Sequence, residues 1–169
     1  MQAGNTMQPD KKAILSLLEQ VPDPEIPVLS VMDLGIVRAV DISGDEVTVT
    51  ITPTYSGCPA MDVIRMEIRL LLLQNGFKQV HINNVLSPAW TTDWMTEAGK
   101  YKLQQYGIAA PNPLPIVCDT ALFSELEAVQ CPRCNSYHTK VLSQFGSTAC
   151  KALYQCNDCL EPFDYFKCH

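Results

Sequence analysis

The chain has 169 residues, a formal net charge of −6 and 47% hydrophobic residues, which is enough for one ordinary domain and a small module. No segment forms a basic stripe, since residues 1–129 are net acidic and residues 130–169 carry four basic and three acidic side chains. This balance argues against a nucleic-acid partner bound through its phosphates. The longest apolar run, residues 70–73, is far too short to span a membrane.

The N-terminal residues 1–12 are polar and lack the apolar segment of a secretory signal. We therefore expect a cytoplasmic protein whose thiols stay reduced. In that compartment the eight cysteines are interpreted as metal ligands and single thiols rather than as a disulfide framework.

The first part of the chain alternates between helical and strand periodicity. Apolar residues at helical spacing predict a helix over residues 8–21, which a proline-rich turn ends. Alternating valine and isoleucine then predict two strands, residues 35–42 and 46–52. Ser-Gly-Asp at residues 43–45 is typical of the short turn of a hairpin.

The chain continues through a loop rich in turn residues, 52–59, into a helix predicted over residues 59–74. A third strand is predicted at residues 78–87, and a last helix at 94–106, capped by Thr92 or Asp93. The pattern indicates an α+β domain over residues 8–110. Its core would be a small mixed sheet of three to four strands packed with helices.

The C-terminal third predicts a linker and a small module. Residues 111–130 are acidic and contain three prolines at alternate positions, which predicts a linker that is extended and semi-rigid in its proline-rich part. Residues 131–169 are too few to hold a core alone, so we expect a bound metal to stabilise their fold as a zinc-ribbon-like module.

Two Cys-x-x-Cys pairs, Cys131 with Cys134 and Cys156 with Cys159, are separated by twenty-one residues. Four thiolates at this spacing can close a tetrahedron around one metal ion. A closed all-thiolate site favours structural zinc, with rubredoxin-like iron, a small iron–sulfur cluster, two disulfides or free buried thiols as alternatives. Asn135 can take the left-handed conformation that often follows such a pair.

Four other residues near the two pairs could ligate a metal. The nearest soft ligands to the two pairs are Cys150, Cys168, His138 and His169, for which a buried thiol or a surface imidazole is the ordinary alternative. The sequence assigns no role to Cys118.

Cys58 stands alone, directly before the proline at the start of a predicted helix. At a helix N-cap its sulfur would face exposed N–H groups and the positive end of the helix dipole, which lower the pKa of a thiol. Gly57 would allow a partner or a metal to approach closely. A buried, inert thiol is equally consistent with the sequence. No base and orienting residue for a cysteine hydrolase can be identified nearby.

Asp23 and Glu25 form a carboxylate pair in a loop that two prolines constrain. Paired carboxylates can serve as acid and base or bind a metal. A solvated turn is the commoner role for such a pair, so the sequence leaves both interpretations open.

Three of these segments together resemble the metal–sulfur cluster assembly family, which includes bacterial Suf-T-type factors and the eukaryotic cytosolic iron–sulfur targeting factor. They are residues 23–27, residues 33–35 and the loop at 52–59 that contains Cys58. Four longer segments are similar to one branch, the D subunits of bacterial phenylacetyl-CoA epoxidase systems. The resemblance covers most of residues 10–110 and 130–168, and the longer segments are residues 53–60, 88–95, 145–154 and 161–168.

The resemblance implies an accessory subunit rather than a catalyst. The epoxidase is a multicomponent monooxygenase with a di-iron carboxylate subunit and a reductase that carries flavin and a [2Fe–2S] cluster. The D component is expected to help install or repair iron or a cluster. By this resemblance Cys58 is the functional thiol, and Asp23, Glu25, Thr54 and Gly57 are its assembly-site neighbours.

The same resemblance implies structural zinc on the four paired cysteines, and iron or an iron–sulfur cluster held transiently at Cys58. The implied partners are the reductase and the di-iron oxygenase subunit, with a homodimer as a further expectation. Independently, the sequence lacks the Glu-x-x-His motifs of a di-iron bundle and the Gly-x-Gly-x-x-Gly fingerprint of flavin or nicotinamide sites. A docking subunit and an iron-containing electron carrier are the alternatives.

Overall fold

The computed structural model describes residues 10–111 and 129–167. The chain divides into two compact units, Met1–Trp90 and Thr91–His169. Helices and two small sheets together make an α+β protein, which confirms the predicted fold class. In the part of the chain that is described, no helix has the length and apolar character needed to cross a membrane.

The first unit begins with α1, Lys11–Leu18. The Asp10 carboxylate caps this helix by accepting a hydrogen bond from the N–H of Ala13 at 2.8 Å. The helix ends three residues earlier than predicted, because the N–H of Val21 donates to the carbonyl of Leu18 and tightens the chain into a turn. Val21 itself stays buried after the helix has ended.

The first unit contains a three-stranded mixed sheet in the order β1–β2–β3. The strands β1, Val37–Ser43, and β2, Glu46–Ile51, form the predicted hairpin, with Gly44 at a φ of +57° in the turn. After the helix α2, Ala60–Gln74, the chain enters β3, Gln79–Asn84, which lies parallel to β2. The third strand is shorter than predicted at its C-terminal end.

The core of the first unit lies between α2 and one face of this sheet. Helical spacing places buried side chains of α2 at every third or fourth position, and alternate residues of β2 face them. The fully buried side chains of this core include Ile64, Ile68, Leu72, Val47, Val49 and Ile51.

The second unit begins with one turn of 3₁₀ helix, Thr92–Trp94, and then α3, Glu97–Tyr106. This helix begins three residues later than predicted, because Thr96 and not Thr92 or Asp93 caps it, through a 2.9 Å bond from the N–H of Gly99.

A four-stranded sheet follows, in the order β4–β7–β6–β5. Its strands are β4 (Ile108–Ala109), β5 (Thr139–Ser143), β6 (Lys151–Cys156) and β7 (Pro162–Phe166). The strand β4 lies parallel to β7, and β6 is antiparallel to both β5 and β7. The core of this sheet consists of Ala109, Val129, Cys131, Ala152, Cys156, Phe163 and Tyr165.

The predicted domain division, 8–110 and 131–169 with a linker at 111–130, stays a prediction. Most of the linker lies outside the described residues. In the structure the second unit begins at Thr91, and β4, which the prediction assigned to the first domain, pairs with β7.

Candidate metal centre and thiol site

The four paired cysteines meet at one end of the second sheet. The sulfur atoms of Cys131, Cys134, Cys156 and Cys159 all lie within 4.8 Å of one another. The separation is 3.8 Å between Cys131 and Cys159 and 3.5 Å between Cys134 and Cys156. A tetrahedral site with metal–sulfur bonds of about 2.3 Å has edges of about 3.8 Å, so this donor set fits a zinc-sized ion.

Two of the four thiols are buried and two are exposed. Cys131 and Cys156 belong to the apolar cluster of the sheet, whereas Cys134 and Cys159 face outward. Backbone N–H groups of Cys159 and Asp158 stabilise the Cys156 thiolate and lower its pKa to about 7. Ionisation of Cys156 before a metal binds is therefore easier than that of Cys134 or Cys159, whose pKa values are raised.

Cys134 shows the opposite behaviour. The N–H of Ser136 favours its thiolate, but desolvation and the hydrogen bonds with three neighbouring thiols outweigh that effect and raise its pKa to about 12. Four adjacent sulfurs cannot all ionise without a cation between them, because like charges at this separation repel strongly. A metal ion bound between them would supply that compensation.

Each Cys-x-x-Cys pair forms a tight turn, or knuckle: residues 131–136 form the first and residues 156–161 the second. The two knuckles have the same local structure. In the first, the N–H of Cys131 donates to the carbonyl of Ser136 at 2.9 Å; in the second, the N–H of Cys156 donates to the carbonyl of Glu161 at 3.0 Å. The residue after each second cysteine is left-handed, with φ of 61° at Asn135 and 64° at Leu160. The conformation predicted for Asn135 is confirmed, whereas no sequence signal indicates it at Leu160, since leucine rarely adopts it.

Polar side chains connect the two knuckles around the sulfurs. Asp158 of the second knuckle accepts hydrogen bonds from the Ser136 hydroxyl and, at 3.0 Å, from Nδ1 of His138. These two hydrogen bonds, that of Ser136 first, hold the pKa of the Asp158 carboxyl below its usual range. On the other knuckle Arg133 lies 3.6 Å from Glu161. Sequence reasoning missed this network, because the residues it joins are up to 28 positions apart.

The predicted additional ligands lie outside the four-sulfur cluster or outside the described residues. His138 is hydrogen-bonded to Asp158 and is not part of the group that could hold a metal. Cys150 is buried at the start of β6, with its sulfur 3.0 Å from the hydroxyl of Thr148. Among the other candidates, Cys118, Cys168 and His169 lie outside the part of the chain that the structure describes.

The second candidate site surrounds Cys58 in the first unit. The helix α2 begins at Ala60, and Cys58 is partly buried just before it, with its N–H donating to the carbonyl of Tyr55 at 3.2 Å. A Cβ added at Gly57 would have one neighbouring atom within 4 Å, on the ring of Tyr55 at 3.9 Å. There is therefore room for another group to approach this loop.

Of the two interpretations that the sequence left open for Cys58, the lowered pKa is wrong in its direction, whereas a thiol removed from solvent agrees with the structure. Burial, the largest cause, raises the pKa of this thiol above its ordinary value near 9. The N–H groups of Ala60 and Met61 do lower it, as a helix N-terminus should, but the negative charges of Glu25 and Asp23 add to the effect of burial. The sequence showed the helix start but not the desolvation or the carboxylates.

The structure brings the predicted carboxylates into the electrostatic environment of this thiol. Asp23 is buried, and its Oδ1 accepts the N–H groups of Glu25 and Ile26, each at 2.8 Å. These two hydrogen bonds fix the backbone of the turn that carries Glu25. Thr54, the remaining predicted neighbour, is half-buried on the same loop.

Other loops of the first unit contain side-chain hydrogen bonds that the sequence did not predict. Asp33 accepts hydrogen bonds from the N–H and the hydroxyl of Ser30, each at 2.9 Å. The indole of Trp90 donates to the carbonyl of Leu34 at 2.9 Å. Thr52, at the end of β2, is 1% exposed, and its hydroxyl has no hydrogen-bond partner within the described residues.

Comparisons with known proteins match the two parts of the chain to two different families. Residues 11–75 match the family described as iron-sulfur cluster assembly protein, and residues 118–167 match the PaaD zinc beta ribbon domain. A crystal structure of a domain of unknown function from Bacillus anthracis is 27% identical, with a TM-score of 0.52 over 55% of this chain and 90% of that one. The fold and sites thus define an iron–sulfur assembly domain followed by a zinc β-ribbon.

Two curated relatives define the family more closely. An Escherichia coli K12 protein, provisionally named as the D component of 1,2-phenylacetyl-CoA epoxidase, is 51% identical over 95% of this chain and 94% of its own length. A Porphyromonas gingivalis protein named Fe-S protein maturation auxiliary factor is 39% identical over 59% of this chain and 96% of its own. The chain belongs to the family of phenylacetyl-CoA epoxidase D subunits, which confirms the resemblance.

Proposed function

We propose that this protein is a non-catalytic accessory subunit that helps insert iron or an iron–sulfur cluster into the phenylacetyl-CoA epoxidase system. The names of its relatives support a maturation role. The observation that carries the proposal is a partly buried thiol, Cys58, under the electrostatic influence of two carboxylates, Asp23 and Glu25. The cytoplasmic location expected from the sequence is part of the same proposal.

This arrangement suits transient metal binding. The charges of Asp23 and Glu25 attract a cation, and burial together with the same charges raises the pKa of Cys58, which favours the protonated thiol while no metal is present. An incoming metal ion displaces that proton, so metal binding at this thiol weakens as the pH falls. A mixed sulfur and oxygen environment binds iron less tightly than a closed cage of four thiolates, which favours transfer over storage.

The ribbon has a different role in this proposal. Cys131, Cys134, Cys156 and Cys159 hold zinc permanently, and the metal stabilises the surrounding sheet. Zinc has no redox chemistry, so electron transfer is not assigned to this unit. The ribbon would dock to the reductase or to the di-iron oxygenase subunit, and self-association as a homodimer is compatible with that role.

A docking subunit without metal transfer is the second candidate. The partial burial and raised pKa of Cys58 favour it, because a thiol of this kind reacts slowly. In that case the first unit would bind a partner, and Cys58 would be a packing residue.

Metal analysis after anaerobic purification separates the two candidates. Wild type, Cys58→Ser and the control Cys150→Ser are co-expressed with the epoxidase subunits, and zinc, iron and acid-labile sulfide are measured in each component. The maturation role predicts one zinc per chain in all three, with iron in the partner subunits reduced by Cys58→Ser alone. Normal iron in the partners of Cys58→Ser would reject maturation and leave the docking role.

A further inference from the structure

The outer side of α2 carries an exposed apolar stripe. Val63, Met66, Leu70 and Leu73 are 39%, 58%, 50% and 40% exposed, respectively. They follow one another at intervals of three and four residues, so they lie on one face of the helix, separate from its buried face. An amphipathic helix of a monomer rarely exposes four large apolar side chains in a row, and such a stripe marks an interaction surface.

The sheet edge next to this helix is also open. Among the described residues β3 pairs on one side, with β2, and forms the edge of the sheet. A cleft of about 340 Å³ runs between α2 and this strand, with Met66, Val80 and Ile82 as its apolar lining. An edge strand beside an apolar cleft is a template for one more strand.

Two arginines give the cleft a charge preference. Arg65 and Arg69 line it from α2, one helical turn apart, on a chain whose net charge is −6. Arg65 makes an exposed ion pair with Asp62, an interaction that contributes little and is readily exchanged. Residues one turn apart on a helix are separated by about 6 Å, close to the spacing of about 6.6 Å between alternate residues of a strand. Two acidic side chains at alternate positions of a strand can therefore meet both arginines.

We propose that the cleft between α2 and β3 docks an extended segment of a partner protein, which adds as a strand to the free edge of β3. The side of that strand that faces α2 carries two acidic residues at alternate positions, opposite Arg65 and Arg69. Apolar residues on either side of them cover Met66 and the exposed part of Ile82. The inference deepens the proposed function, because the segment would belong to the protein that is matured. It does not require Cys58.

The test uses the zinc-loaded full chain labelled with ¹⁵N and a capped peptide, Thr-Val-Thr-Glu-Thr-Glu-Thr-Val-Thr. Amide shifts of Gln79–Asn84 and of Arg65 and Arg69 are followed during the titration. A second peptide has lysine in place of glutamate, and a third is N-methylated at alternate residues so that it keeps its charge but cannot pair with a strand. The charge variant is Arg65→Glu with Arg69→Glu, matched by the control Lys11→Glu with Lys12→Glu.

The proposal predicts saturable shifts along β3 with the glutamate peptide, and no binding of the lysine or N-methylated peptides. The double arginine reversal should raise the Kd of the glutamate peptide by about tenfold or more, whereas the double lysine reversal should change it by less than about twofold. Equal binding of the N-methylated peptide, or the same shifts with inorganic phosphate or benzoate, would make the cleft a small-anion site and overturn the proposal. Binding that survives the arginine reversal would also overturn it. Peptide binding with normal partner iron in Cys58→Ser would uphold docking while rejecting maturation.

Discussion

The side chains of Gln130 and Gln155 make the same hydrogen bond in the two knuckles of the metal centre. Each Nε2 donates to the carbonyl of the left-handed residue that follows the second cysteine of its pair, Asn135 or Leu160, at 3.1 Å. The match extends to the backbone bonds of both knuckles. One local structure, Gln-Cys-x-x-Cys-x with a left-handed end, has therefore been used twice to present four sulfurs.

The left-handed residue of the second knuckle should be replaceable with a gain in stability. Leu160 is 67% exposed and loses no packing on substitution, whereas its φ of 64° is unfavourable for a side chain other than Asn or Gly. We expect Leu160→Asn to raise the free energy of unfolding of the zinc-loaded protein by about 0.5–1 kcal/mol. The reciprocal change Asn135→Leu should lower it by a similar amount in chemical denaturation. Stabilisation by both substitutions would contradict this role of the left-handed backbone.

The carboxylate that links the knuckles should slow metal loss. Asp158 holds Ser136 and His138 in place beside the sulfurs. Partners outside the ligand set typically change metal affinity by about 10–100-fold, so Asp158→Asn should accelerate zinc transfer to a chromogenic chelator by about tenfold. Asp41→Asn, on an exposed position of β1, is the control of equal charge change. If both variants release zinc at the wild-type rate, the network has no role in holding the metal.

The reactivity of Cys58 should report the environment that raises its pKa. Burial and the charges of Glu25 and Asp23 favour the neutral thiol, so alkylation by iodoacetamide at pH 7–8 should be slower than for a free cysteine, and its rate should still be rising above pH 9. Peptide-resolved mass spectrometry measures this rate.

Removal of one of those charges should have the opposite effect. Glu25→Gln is expected to shift the pH–rate curve to lower pH, while Glu19→Gln should leave it unchanged.

The raised pKa of Cys58 also determines how its contribution to the stability of the fold changes with pH. Because the folded-state pKa lies above the unfolded value, the contribution of Cys58 to stability is complete below about pH 9 and declines as the pH rises through the folded pKa.

Gly146, in the second unit, lies too close to neighbouring side chains for a larger residue to fit. A Cβ on Gly146 would lie 2.6 Å from Oδ1 of Asp164 and 3.2 Å from the Cβ of Lys151. Asp164 cannot move easily, because it accepts a 3.0 Å hydrogen bond from Ser147 and lies 3.9 Å from the buried Lys151 ammonium. We expect Gly146→Ala to lower the free energy of unfolding by about 1–3 kcal/mol. The control Gly57→Ala, whose nearest contact is 3.9 Å, should be neutral in the same thermal unfolding experiment.

Sequence patterns were sufficient where a local rule determines the structure. The hairpin around Gly44, the third strand and the grouping of the four paired cysteines follow from periodicity, turn chemistry and cysteine spacing. The pKa of Cys58 could not be inferred, since the helix N-terminus is visible in the sequence but burial and the approach of Glu25 depend on tertiary packing. The start of α3 was misplaced for a related reason: several residues can cap a helix, and packing selects Thr96.

Metal removal should affect the two units differently. Cys131 and Cys156 belong both to the four-cysteine group that could hold a metal and to the apolar cluster of the second sheet, so removal of a bound ion would leave adjacent thiols inside a small core. The core of the first unit, between α2 and its sheet, contains none of these four cysteines. With chelator, amide signals of β5, β6 and β7 should lose their dispersion, while those of β1, β2 and β3 keep theirs. Cys134→Ser should reproduce this pattern, and Cys58→Ser should not. Collapse of both sets of signals on zinc removal would show instead that the ion stabilises the whole chain.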